Sequence, residues 1–475
     1  MTIRVCFYSH SSYGLFDPSS KTPFGGAEVR ATRFARGLAA RPGFDVACLV
    51  RNEGQPPRQR FGKLAVVAEP PTVEPPPLEP DPPRRRRTRK RGFFDHVYLL
   101  FRHSADRAEG FPWVRINQWS PHLLWQTPLL AAHFSWRACR AGVRRLRRRN
   151  PIPRLRPSQV LAAVDCDVVC GFGVNNATAA LVAECRRRRL TSVLFLASEQ
   201  DIWSEYQPRS RHIGPHGDYA RWCRYAIDHA DHLVVQTEYQ QRMLAERFGR
   251  RSTLIRNPVP PVAAGRDPLR PDDRFVLWIG RAERAYKRPE LCIELARRCP
   301  EVPIVMVLNP AHRELFNELV ASAPANVRIV ERVPFDEIDA YFHHAALFVN
   351  TSRLEGFPNT FLQAASHGVP ILSLNVDPDG FVSRGGCGLV AHEDLERLAA
   401  ELRRVWSDRA AAEAFGAAGR RYVAATHGLE GRIDELTALL QAAVAPRRLR
   451  LRPLRILGEA PPAAVETPQR EDVAA

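Results

Sequence analysis

Lysine is nearly absent from this chain. Lys21, Lys63, Lys90 and Lys287 are the only four among 69 lysine and arginine residues, so the net charge of +18 is carried by arginine. A bias of that size reads as a habit of the genome, yet it singles out each lysine that remains. Also missing is any uninterrupted apolar run near the ~20 residues that a bilayer-spanning helix needs. The opening residues, MTIRVCFYSH, already read as a strand and not as a secretory leader. Ten cysteines are scattered without metal-site spacing. Cys166 and Cys170 share one strand but have no second Cys or His pair to complete a site, so they read as core thiols in a reducing cytoplasm.

What is present suits two domains of ordinary size, since 475 residues with 45% hydrophobic content supply two cores. The amino-terminal half alternates strands and helices. IRVCFYSH is the first strand, followed by a loop ending in Gly25–Gly26 and a helix, AEVRATRFARGLAAR; GFDVACLVR and KLAVVAE are further strands. Two glycines ahead of a helix let an anion approach the backbone closely. From Glu69 to about Arg156 the alternation breaks. PPTVEPPPLEPDPP cannot build a core and is expected to be extended or disordered; RRRRTRKR follows, then aromatic-rich material around Trp113, Trp119, Trp125 and Trp136, and a basic helix candidate, SWRACRAGVRRLRRRN. This reads as an insertion, either a solvated loop or a surface that meets anionic lipid headgroups. Nucleic acid is the weaker third partner, because no recognised nucleic-acid module accompanies the charge.

Regular structure resumes at Val160 with DVVCGFG (strand), NNATAALVAECRRR (helix) and TSVLFLAS (strand), and then a loop with Glu199, Gln200 and Asp201. ADHLVVQTEYQQRMLAERFG gives a strand and helix, STLIRNPV a last strand, and AAGRDPLRPDD a linker. The second half opens with FVLWIGR, a strand ending at Gly280 with Arg281 at its tip, after which Lys287-Arg288-Pro289 starts a helix. VPIVMVL, NVRIVERV and ALFVNTS are strands; AHRELFNELVASAP and FDEIDAYFHHA are helices, the second carrying His343 and His344 in packing or capping positions. Thr351 to Asp379 then forms a loop, a helix (PNTFLQAASHG, closed by Gly368) and a strand (VPILSLN). Glu355, Gly356 and Phe357 sit at the carboxyl end of the preceding strand, where open α/β sheets place their ligands. The helix start at Pro358 to Phe361 offers unpaired amides and a positive dipole end to a phosphate, with Pro358 in the first turn.

The stretch EGFPNTFLQ resembles the signature of the retaining glycosyltransferases of family 4, in which a Glu, seven residues and a second Glu follow a strand. The strand, Gly-Arg, loop and Lys at Gly280, Arg281 and Lys287 are similar to a second signature of that family. The resemblance implies a GT-B fold, an α/β architecture of two Rossmann-like domains with parallel sheets facing across a cleft. It implies an acceptor-side domain over 1–264 holding the insertion (69–156), a nucleotide-sugar domain over 272–427, a helix over 428–445 returning to the first domain, and a disordered tail over 446–475. It further implies hexosyl transfer from a UDP- or GDP-sugar to a glycan, lipid-linked or other hydroxyl acceptor, with retention and without metal or cofactor, in the cytoplasm or peripherally on the inner face of the plasma membrane.

Residue by residue, the resemblance gives Arg281 and Lys287 the donor diphosphate and Glu355 the donor sugar hydroxyls. Gly356, Phe357, Pro358, Asn359 and Thr360 line the donor loop, and Val333, within Arg332 to Phe335, borders the nucleobase. Gly25 and Gly26 border the reaction centre. The family often has a histidine where Glu199 and Asp201 stand, so these two are the acceptor-side candidates. The second acidic position is Gln363, a departure: an amide has one acceptor oxygen and no charge. Gln363→Glu is therefore expected to keep or tighten donor binding through the ribose. Two alternatives remain: a nucleotide-sugar epimerase of the same fold, whose acidic and histidine set is not evident, and a non-catalytic basic scaffold, which Gln363 keeps open.

Overall fold

The computed structural model describes residues 2–20, 22, 24–70, 155–262, 274–335 and 337–451. The insertion apart from its two ends, the linker over 263–273, Lys21, Lys90 and the chain beyond Leu451 lie outside the described residues. Two sheets organise the rest. The first lobe runs β1 (Ile3–Tyr8), α1 (Gly26–Ala40), β2 (Phe44–Val50), β3 (Arg58–Phe61), β4 (Leu64–Ala68), β5 (Val168–Phe172), α2 (Asn176–Arg188), β6 (Thr191–Phe195), α3 (Ala220–His229), β7 (His232–Val235), α4 (Glu238–Phe248) and β8 (Thr253–Leu254). Its strands lie in the order β3-β4-β2-β1-β5-β6-β7-β8, parallel except for β3. The second lobe runs β9 (Phe275–Arg281), α5 (Pro289–Arg298), β10 (Ile304–Asn309), α6 (Arg313–Ser322), β11 (Val327–Glu331), α7 (Ile338–His344), β12 (Ala345–Asn350), α8 (Asn359–Ser366), β13 (Ile371–Ser373), β14 (Gly388–Val390), α9 (Leu395–Ser407) and α10 (Arg409–His427). Its order is β11-β10-β9-β12-β13-β14, all parallel. Relabelled within the lobe this is 3-2-1-4-5-6, the dinucleotide-binding order, whose crevice opens where the order reverses, between β9 and β12.

Most of the strands form because they are apolar over most of their length. LAVVA in β4, VVCGF in β5 and TSVLF in β6 are buried at every position, as parallel strands covered on both faces must be. Cys170 lies in β5, whereas Cys166 precedes the strand and does not share it; both are buried. On α1, Ala31, Phe34, Ala35 and Leu38 make the apolar stripe, and Phe34 meets Phe195, which stacks on Phe172 at 4.5 Å. The last helix, α11 (Leu429–Leu451), leaves the second lobe and packs on the first through Ile433, Leu436, Leu440 and Val444. Those residues recur at helical spacing, and each contributes roughly 1.5–3 kcal/mol by burial. α1 and α11 come together at Gly37, where a Cβ would lie 2.5 Å from Ile433 Cδ1. At the junction of the lobes, Val259 N–H donates to His427 O at 2.9 Å, and Leu429 N–H donates to Val259 O at 2.9 Å.

Three local features depart from the sequence reading. β3 is an additional strand: RQRF has a single apolar residue, Phe61, too little to announce a strand, and it pairs through a turn in which Gly62 takes φ +62°. STLIRNPV yields only the two residues of β8, with Ile255 N–H adding one further bond to Val235 O at 3.0 Å. α11 continues to Leu451, past the boundary expected at 445.

Candidate active site

The crevice is built from the carboxyl ends of β9 and β12. Trp278 on β9 donates its indole N–H to Thr351 Oγ1 at 3.0 Å, and the Thr351 hydroxyl lies 3.0 Å from the carbonyls of both Lys287 and Arg288. Gly280 leaves room for the indole, since a Cβ there would stand 2.5 Å from its Cη2. Arg288 adopts φ 48° at the start of α5, donates Nε to Thr351 O at 2.8 Å and pairs with Glu393. These bonds fix the turn that presents Lys287. Its ammonium pairs directly with the Glu355 carboxylate, both side chains being mostly covered, at 23% and 15% exposure. Arg281, at the tip of β9, is 56% exposed and pairs with Glu283 at 3.0 Å.

The facing wall comes from the first lobe. Glu199 follows β6 and shares with Glu355 a cavity of about 460 Å³ that also takes Thr237, Arg242, Arg353 and Asn375 into its lining. Burial, with a smaller push from the Glu355 charge, raises the Glu199 carboxyl to about 7. The loop carrying Glu199 is held by a buried cation. Arg30 on α1 donates to Leu196 O and Ile255 O, both at 2.8 Å, tying the ends of β6 and β8 together, with its guanidinium over Phe34 and Phe195. Burial lowers its pKa to about 9. Sequence reasoning missed Arg30; the signal was a charged residue four positions before Phe34 on an otherwise apolar helix face.

The lobes touch beside the crevice. A Cβ on Gly356 would lie 2.6 Å from Ala197 O and 2.7 Å from both Gln236 Nε2 and Ser198 Cα, so only glycine permits this approach. Asn359 Nδ2 donates to Gly26 O at 3.0 Å, Asn257 Nδ2 lies 3.4 Å from Asn359 Oδ1, and Phe24 meets Phe335 edge-on at 5.7 Å.

Several residue assignments need correcting. Asp201 does not face an acceptor: its carboxylate accepts the amides of Val174 (3.0 Å), Ala197 (2.6 Å) and Ser198 (3.1 Å), and it braces the loop from inside. Phe357 turns its ring into the core against Phe381 and His427, so only its backbone is left for a donor. Asn359 is engaged across the lobes, and Pro358 is the residue that precedes α8, not part of its first turn. Gly25 N–H is already taken by Glu28 Oε2 at 2.8 Å, while Gly26 opens α1 and is exposed. Gln363 donates Nε2 to Asp339 Oδ1 at 3.1 Å, so a glutamate there would oppose a carboxylate, against the gain expected for Gln363→Glu. Val333 packs on the second lobe's core and Thr360 lies half-buried in the first turn of α8. Among the described residues no cluster of three or more His, Cys, Asp or Glu could hold a metal, and no helix is long and apolar enough to cross a membrane.

Residues 273–408 match the family described as group 1 glycosyl transferases. The D-inositol 3-phosphate glycosyltransferase of Nocardiopsis dassonvillei is 28% identical over 255 residues, covering 47% of this chain and 59% of that protein. The chain thus spans about six-tenths of the length of that curated relative. In shape, the chain is similar to sucrose-phosphate synthase of Thermosynechococcus elongatus, with a TM-score of 0.61 at 16% identity over 94% of this chain and 100% of that one. It is also similar to the α,α-trehalose 6-phosphate synthase of Burkholderia multivorans, with a TM-score of 0.55 at 12% identity and the same coverage. At such identities the likeness is one of fold, the two-lobed α/β fold of GT-B glycosyltransferases.

Proposed function

We propose that the protein is a group 1 glycosyltransferase that moves a hexosyl residue from a UDP- or GDP-sugar to a hydroxyl of a glycan or lipid-linked acceptor with retention of configuration. The observation that carries this reading is the Lys287–Glu355 pair at the reversal point of the second sheet, opposite the Glu199 carboxyl. A donor entering there exchanges partners with the pair. Its diphosphate takes the Lys287 ammonium, and its sugar hydroxyls donate to the freed Glu355 carboxylate. Arg281, exposed at the strand tip, reaches the second phosphate by leaving Glu283. The start of α8, in the same loop, adds backbone amides and a positive dipole end.

The bond from the anomeric carbon to the diphosphate oxygen breaks as the acceptor oxygen bonds to that carbon on the same face. The acceptor's proton passes to the departing diphosphate, and Lys287 and Arg281 stabilise the charge that grows there, a contribution of about 3–4 kcal/mol per preorganised donor. Glu199, neutral over part of the physiological range, donates a hydrogen bond to a sugar or acceptor hydroxyl where a carboxylate could only accept. The relatives named for inositol phosphate, sucrose phosphate and trehalose phosphate chemistry support transfer to a polyol or sugar hydroxyl. Acceptors of cell-envelope polysaccharide or glycoconjugate synthesis, met at the inner face of the plasma membrane, fit the basic balance of the chain.

Thermal-shift screening of UDP-, GDP- and ADP-sugars comes first, because a bound donor raises the melting temperature by mass action. Incubation of the best donor with candidate acceptors, and proton NMR of the product anomer, then tests retention. A product of inverted configuration overturns the mechanism, and donor binding with neither transfer nor hydrolysis favours the scaffold reading.

A further inference from the structure

The loop after β13 contains DPDG, and its second aspartate does something no sequence pattern announces. Asp379 stands in the left-handed region at φ 53°, ψ 23° and reaches out of its own lobe. Its Oδ2 accepts the Glu238 amide at 2.7 Å, and its Oδ1 faces the Tyr239 amide at 3.3 Å. Those are the first two amides of α4 in the opposite lobe. Thr237 caps that helix only at the third, accepting Gln240 N–H at 3.1 Å. Asp379 therefore completes the cap from across the crevice. Arg256 adds Nη1 to Asp379 Oδ2 at 2.9 Å while its Nη2 holds Glu238 at 2.9 Å. The Asp379 side chain is 5% exposed, so solvent and salt screen this contact little.

The start of α4 is also tied to the catalytic wall. Gln240 donates Nε2 to Ser198 O at 3.1 Å, and Ser198 precedes Glu199 and lies against Gly356. We infer that Asp379 is a positioning residue whose carboxylate latches the second lobe onto the start of α4 and so sets the closed crevice in which Glu199 faces Glu355. The inference rests on the proposed glycosyl transfer for its kinetic and nucleotide-binding readouts, while the scattering of the nucleotide-free chain tests the latch by itself. A substrate that must enter between the lobes does so from a population with the latch released, and the bound donor restores closure. Loss of a carboxylate cap shifts a helix equilibrium about 3–30-fold, and here the same interaction biases closed against open.

The test uses the full chain with Asp379→Gly, which keeps the left-handed backbone without strain and removes both acceptor oxygens and the charge. Arg256→Met breaks the same contact from the other lobe and serves as the second variant. Small-angle scattering and calorimetric UDP binding are measured together with kcat and donor KM. The latch predicts native melting, a larger radius of gyration without nucleotide that contracts when UDP binds, and a donor KM raised by up to ~30-fold with kcat within ~3-fold of the parent. The double variant opens by less than the two single effects added together, because both variants remove the Arg256–Asp379 pair. Unchanged scattering and unchanged nucleotide affinity in both single variants overturn the latch. Open, UDP-responsive variants of a protein that transfers no sugar leave the latch standing and refute the enzymatic reading instead. A lowered melting temperature with donor KM and scattering unmoved assigns Asp379 to folding alone.

Discussion

Replacing Glu199 by glutamine yields a pH-dependent gain in stability. Burial and the neighbouring Glu355 raise the Glu199 carboxyl from its ordinary 4.5 to about 7. Below pH 4.5 the group is protonated in both the folded and the unfolded chain and contributes nothing to the slope. Between 4.5 and 7 the folded protein keeps a proton that the unfolded chain releases, so stability falls as pH rises through that window and stays reduced above it. Full burial would make the loss at most ~3 kcal/mol; for a side chain partly open to the cavity, solvent reduces this to roughly 1–2 kcal/mol. Glu199→Gln carries no charge at any pH and removes the dependence. Urea-unfolding midpoints of parent and variant, measured from pH 4.5 to 8, should diverge upward in favour of the variant by that amount. The divergence should widen further in a Lys287→Ala background, where the Glu355 charge is no longer opposed. A parent–variant difference constant to within ~0.3 kcal/mol across the range would falsify the assignment of this carboxyl.

The remaining predictions concern the same crevice and its joint. Lys287→Ala should lower turnover about 10²–10³-fold with a smaller effect on donor affinity, and Lys287→Arg should also lose activity because the broad guanidinium does not replace a compact ammonium; steady-state kinetics with the best donor decide it. Gly356→Ala places a methyl within 2.6 Å of Ala197 O and should open the lobes, abolishing transfer while circular dichroism stays native. Gln363→Glu sets a carboxylate against Asp339, so calorimetry should show weakened donor binding, and tightened binding would show that Asp339 turns away. His427 is buried with its Nδ1 3.0 Å from Asn257 O, and burial lowers its pKa to about 3. Its contribution is present above pH 6.5 and lost as pH falls toward 3, so His427→Gln should flatten acid unfolding over that interval.

Most of the sheet architecture was legible because parallel strands buried on both faces are continuous apolar runs, and the loops that matter lie where such runs end. Lys287 and Glu355 were singled out by their resemblance to family signatures, and the fold brings the two side chains together. The partners were not. Asp201 and Glu199 are two residues apart in one loop, and nothing in that spacing tells which turns inward to three amides and which faces the cavity. Gln363 shows the same limit, since its neighbour Asp339 is 24 positions away and on another helix. Asp379 and Arg256 meet over 123 residues, and α4 borrows its cap from a different lobe. Local pattern governs local structure; contacts between lobes depend on how two finished surfaces meet.

The chain leaves the first lobe after Val259 and returns at His427 to Leu429, and these two crossings are bonded to each other on both sides of Val259. Like a door hung on two knuckles pinned side by side, the lobes can swing but cannot slide or twist freely. A swing about that line moves the rim furthest and the joint least. Asp379 and Asn359 then act as door catches, while the buried aromatic packing of Phe357 and Phe381 around His427 turns with the hinge. By that geometry, a given change of angle between the lobes corresponds to a smaller displacement near the joint than at the rim.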